Sequence, residues 1–111
     1  MAKPTREDAQ LLLQVAQWGS SIGLGDAMGE LFSDSVDSGS AEFTDGAVRT
    51  ALVFGESIGT LVKHDVLSRE LVEDWLWVKG LWDRVEPAAL KARERLGEER
   101  LYENFEALAT G

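Results

Sequence analysis

No cysteine occurs among the 111 residues, so a disulfide framework, a thiolate zinc site and a cysteine nucleophile are all excluded. Histidine is nearly as scarce. A hydrolase triad needs a base held against a nucleophile, and the single histidine, His64, falls near a predicted helix C-terminus, where a histidine ordinarily serves as a favourable helix-end charge or a surface residue. The Glu-x-x-His pair of carboxylate-bridged di-metal bundles is missing too, because Leu61 stands three residues before His64. These absences predict a protein that is not an enzyme and holds no cofactor.

Positive charge is also in short supply. Lys and Arg number 11 against 20 Asp and Glu, and a net charge of -9 opposes the counterion release that drives binding to a phosphate backbone. No polybasic cluster is present to attract an anionic membrane surface. The expected partners therefore include neither nucleic acid nor membrane, while a basic protein remains permitted. The deficit is uneven. From Glu7 to Val48 there are eight acids and no base, whereas from Arg49 onward nine bases face twelve acids. Net charge as a solubility device explains such a pole, and so does an acidic docking surface or a decoy for a nucleic-acid-binding protein.

Long apolar runs are absent as well. Ala9 to Gly25 carries no charge over 17 residues, but its three Gln, two Ser and three Gly keep it far from bilayer-spanning hydrophobicity. The opening Met-Ala-Lys-Pro-Thr-Arg-Glu-Asp has neither the apolar core nor the cleavage pattern of a secretory signal, which points to a cytoplasmic protein.

What remains is helical periodicity, with no strand-like alternation of useful length. Thr5 with Asp8 three residues on forms a capping arrangement for a first helix, whose apolar positions include Ala9, Leu12, Leu13 and Ala16. A glycine-rich break leads to a short helix over Asp26 to Phe32, and a polar loop fills Ser33 to Asp45. From Gly46 to about His64 the charges Arg49, Glu56 and Lys63 recur every seven residues on one narrow stripe of an otherwise apolar helix, the pattern of a central element. Ser68 is a credible N-cap for a fourth helix running through Trp75, Trp82 and Val85. Pro87 should start or kink a fifth that ends near Gly97, and Leu101 to Ala109 forms a final amphipathic stripe. The expected fold is a single all-α domain, a compact bundle of five or six helices.

From Phe54-Gly55-Glu56-Ser57-Ile58-Gly59, through Leu71-Val72, Trp82, Val85-Glu86-Pro87 and Arg93-Glu94, to Phe105-Glu106-Ala107-Leu108-Ala109, the second half resembles an uncharacterised bacterial family of small all-helical domains ending in Phe-Glu-x-Leu-Ala. The resemblance implies a helical fold and brings no function with it.

Four features invite a functional reading. Asp34 to Asp45 has the length of a calcium loop, with Asp34, Ser38, Gly39, Glu42 and Asp45 at plausible positions, but Val36 occupies the third ligand position and Asp45 the last, where a bidentate Glu is usual. We expect no metal there. Gly55-x-x-x-Gly59 suits a close helix crossing, most simply within the monomer. Trp18, Trp75, Trp77 and Trp82 are expected to pack in the core, although Trp75 and Trp77 cannot share one helix face; the rival use is a tryptophan-lined small-molecule pocket. Glu56 and Arg93 are expected to be structural, with a guanidinium satisfying the carboxylate on the central helix.

The first helix supplies the candidate interface. Gln10, Gln14 and Gln17 line one face beside Leu11, Val15 and Trp18, and neutral amides are desolvated at lower cost than the charges a solvent face normally carries. We expect this face to meet a second copy of the chain across a two-fold axis, making the protein a homodimeric interaction module.

Overall fold

The structure, a computed structural model, describes residues 3–33, 38–42 and 44–111. Thr5 opens α1 (Arg6–Ser21) through a capping box: its hydroxyl accepts from the Asp8 amide at 3.1 Å, and the Asp8 carboxylate accepts from the Thr5 amide at 2.8 Å. The same carboxylate accepts from the Ser68 amide at 2.9 Å, tying the start of α1 to the start of α4 (Arg69–Trp75). Gly23, at φ 82°, makes the left-handed step into α2 (Leu24–Leu31).

Next come a short 3₁₀ turn at Ser38–Ser40 and the central helix α3 (Gly46–Lys63). Val48, Ala51, Leu52, Phe54 and Ile58 are buried on α3, which lies against α2, α5 (Val78–Leu96) and α6 (Glu103–Thr110). The apolar circumference legible in the sequence is thus used on several sides at once. Trp82 of α5 meets Phe105 of α6 edge-on, with ring centroids 5.0 Å apart, and both are fully buried. The described residues form an all-helical domain with no strand among them.

Two expectations about the middle of the chain need correction. Ser68 does cap α4, but the helix does not run on through Val85: Leu76 adopts extended backbone (φ −129°, ψ 131°), and a new helix begins at Val78. Side chains two apart point to opposite sides of a helix but to one side of an extended segment. The break therefore lets Leu76 and Val78 both enter the core while Trp75 and Trp77 both face outward. Pro87, in turn, starts no helix; it sits inside α5. The carbonyl that loses its partner to Pro87 belongs to exposed Asp83, where water can satisfy it, and Ala88, Ala89 and Ala92 continue the buried face beyond. Gly97, at φ 68°, ends α5 as the sequence suggests.

Candidate functional site

The strongest polar constellation seats α6. Its N-cap position is Tyr102, held at φ 62° with no side-chain cap of its own. Glu56, from the polar stripe of α3, supplies the missing acceptor: Oε1 receives the amides of Asn104 and Phe105, each at 3.0 Å, and Oε2 receives the Asn104 side-chain amide at 2.8 Å. A carboxylate is the favoured group here, because the unpaired amides and aligned peptide dipoles make a helix N-terminus electropositive. Glycine on either side makes the approach possible. A Cβ on Gly55 would run into the Phe105 ring, and one on Gly59 would fall on the Asn104 backbone. The Gly-x-x-x-Gly pair therefore serves a crossing inside the monomer.

Arg93 closes the other side of α6. Its Nη2 pairs with Glu106 Oε1 at 2.8 Å, its Nε donates to the Leu101 carbonyl at 2.7 Å, and its guanidinium lies 5.9 Å from the Trp82 ring centre. Glu56 and Arg93 are both engaged, but not with each other. Each grips a different part of the α6 entry, so the two act as separate anchors, Glu56 meeting amides where a guanidinium could also have met it. Asn104 is not singled out by the sequence, and Glu106 enters only through the Phe-Glu-x-Leu-Ala ending, with no role; the available signal is Glu56 between two glycines, a carboxylate on a face that another backbone must approach. Beside this seat, burial pushes the Tyr102 phenol up, and the Arg100 guanidinium holds the Glu103 carboxyl below its ordinary range. The arrangement holds a helix in place.

The candidate interface on α1 is divided by the fold. Val15 is buried in the core, and Leu11 and Leu12 pack against it, so Val15 leaves the proposed contact face. Gln10, Gln14 and Gln17 are exposed, and Leu13 stands 68% exposed among them. Trp18 lies at the edge, stacked on Phe54 at 5.4 Å, and Phe54 meets Trp75 edge-on at 6.0 Å. Trp18 and Trp75 are each 37% exposed. The expectation that the tryptophans pack in the core holds fully for Trp82 alone: Trp77 is 68% exposed, stacked on Phe32 at 5.7 Å and lying over Gly80.

Part of the calcium-like loop, including Asp34 and Val36, lies outside the described residues. Of the remainder, Glu42 faces Lys91 at 3.8 Å and Arg95 at 3.6 Å, and Lys91 also donates to the Gly39 and Ala41 carbonyls at 3.1 Å. Asp45 Oδ2 accepts from the Glu42 amide at 3.0 Å. These carboxylates fasten the segment to α5 and to itself. Among the described residues no group of three or more His, Cys, Asp or Glu could hold a metal ion, and no helix is long and apolar enough to cross a membrane. His64 is the exposed C-cap residue of α3.

No curated protein and no solved structure matches the chain. A family model does, over residues 5–111, which spans α1 through α6 and the whole α6 seat. The chain accordingly belongs to the DUF4760 family, described as a domain of unknown function.

Proposed function

We propose that this chain is a non-enzymatic interaction module that self-associates as a two-fold homodimer through the outer face of α1. The observation that carries the reading is Leu13, 68% exposed at the edge of the face that Gln10, Gln14 and Gln17 form, within a 17-residue stretch that holds no charge. Two chains of net charge -9 repel, and they meet at least cost where acids are absent. Neutral amides suit such a contact, because each can trade water for a partner across the axis. Trp18, stacked on Phe54, adds a rigid aromatic edge of the kind enriched in interfaces.

The missing cysteines make a direct test clean. Gln14→Cys and Gln17→Cys each introduce the sole thiol of the molecule, and a disulfide needs Cα atoms within about 7 Å. Mild oxidation should link at least one of them into a dimer much faster than Glu99→Cys, which sits on the exposed turn after α5. Equal rates for all three would sink the reading.

A second reading, an acidic docking surface for a basic protein, has its own observation. Glu7, Asp26, Glu30 and Asp45 are exposed, and none forms an ion pair with Lys or Arg among the described residues. Binding to a basic partner that weakens steeply with salt, and that leaves the oligomeric state unchanged, would favour it.

A further inference from the structure

Between the end of α3 and the outer side of α6 runs a groove of about 450 Å³, within the size range of small-molecule sites. Its floor is apolar: Val62 from α3 and Ala107 and Leu108 from α6, with Gly59 beside them where the Asn104 backbone closes in. Its rim reverses the sign of the protein. Lys63, Arg69 and Arg100 line it against a single acid, Glu103, on a chain with nearly twice as many acids as bases.

The existing pairs narrow the ligand. Arg69 Nε is matched by Glu73 at 2.9 Å, and its Nη2 holds the Leu108 carbonyl at 2.7 Å. Arg100 Nη2 is matched by Glu103 at 2.9 Å. Lys63 forms no ion pair within 4 Å among the described residues, and it is exposed. Lys63 also acts on Glu103 at longer range, but three cations, Lys63, Arg69 and Arg100, face two acids, Glu103 and Glu73, and the one net positive charge over an apolar trough calls for one negative charge on an apolar body. A doubly charged phosphate head would leave a surplus charge facing Glu103 and Glu73.

We infer that this groove binds a monoanionic amphiphile, a carboxylate head carrying a short unbranched alkyl chain, with the head at Lys63 and the chain along Val62, Ala107 and Leu108. The site is separate from the α1 face and stands whether or not the chain dimerises.

Decanoate is the probe, with decanol and decyltrimethylammonium as uncharged and cationic counterparts, titrated below their micellar concentrations and followed by amide chemical shifts. Decanoate should saturate, moving Val62, Lys63, Ala107 and Leu108, while the two counterparts bind at least five-fold more weakly. Lys63→Glu should weaken decanoate at least five-fold. Ala107→Phe, at an exposed position that fills the trough, should abolish binding without disturbing the fold and decides the matter if Lys63→Glu loosens α6. The inference is overturned if decanoate fails to saturate, if decanol binds equally well, if neither variant weakens binding, or if the shifts gather at Trp18 and Trp75 instead.

Discussion

Glu56 and Asn104 meet through two hydrogen bonds from one carboxylate, Oε1 accepting the Asn104 backbone amide at 3.0 Å and Oε2 its side-chain amide at 2.8 Å. With the Phe105 amide also on Oε1, a residue 48 positions upstream caps a helix whose own N-cap residue cannot. The final helix is thus held by long-range chemistry more than by local signals.

Removing the cap should be costly. Glu56→Ala takes the acceptor from two part-buried backbone amides and leaves the Asn104 side-chain amide only Thr60 Oγ1 at 3.3 Å. Hydrogen bonds to charged groups contribute a net of about 1.5–3 kcal/mol each, not additively within one network. We expect a net loss of about 2–3 kcal/mol, seen as a fall in Tm of roughly 10 °C. Glu56→Gln should recover only part of it, because its amide turns a donor toward a donor. Unchanged denaturation curves for both variants would show that α6 is seated by packing alone.

Two glycine-to-alanine changes should act in opposite directions. Gly59→Ala drives a Cβ onto the Asn104 backbone, which cannot yield as a flexible side chain would, and overpacking costs about 1–3 kcal/mol. At Gly29, within α2, an added Cβ meets nothing within 4 Å. Gly29→Ala should therefore stabilise by up to about 1 kcal/mol through helix propensity. Urea denaturation of the two variants beside the parent protein measures both signs.

Asp8 gives the fold a defined acid dependence. Hydrogen bonds from the Thr5 amide and then the Thr5 hydroxyl hold its carboxyl below the usual carboxylate range; burial opposes them, and the Ser68 amide adds the smallest effect, in the lowering direction. A carboxylate with a depressed folded-state pKa adds stability that is fully present above its unfolded pKa of about 3.9 and is lost as pH falls through the folded value. The stability difference between the parent protein and Asp8→Asn should be largest near neutral pH and shrink below about pH 4. A difference that stays constant from neutral pH down to about pH 2.5, more than a unit below the ordinary carboxylate value, would detach Asp8 from the acid response.

Much of this fold is legible from local chemistry. Thr5 with Asp8, Ser68 and Gly97 mark helix ends through side-chain caps or a left-handed glycine, and each does so in the structure. The breakpoint at Leu76 was harder because its signal is brief. Trp75, Leu76, Trp77 and Val78 alternate outward and inward over only four residues, embedded in a longer helical period. Pro87 misleads for a related reason: whether a helix tolerates proline depends on the solvent exposure of a carbonyl four residues earlier. The seat of α6 lay beyond sequence alone, since nothing local pairs Glu56 with Asn104 or Arg93 with Glu106. On α1, period alone grouped Val15 with the glutamines, whereas packing on α2 and α4 turns Val15 inward and leaves Leu13 outside.

Sedimentation of the unaltered protein at high micromolar concentration tests the proposed self-association most directly. A two-fold contact through Gln10, Leu13, Gln14 and Gln17 predicts a species of twice the 12.2 kDa chain mass. Gln14→Glu, which places like charges on both sides of that contact, should shift it toward monomer, more strongly at low salt. A single 12.2 kDa species at every concentration would contradict the homodimer.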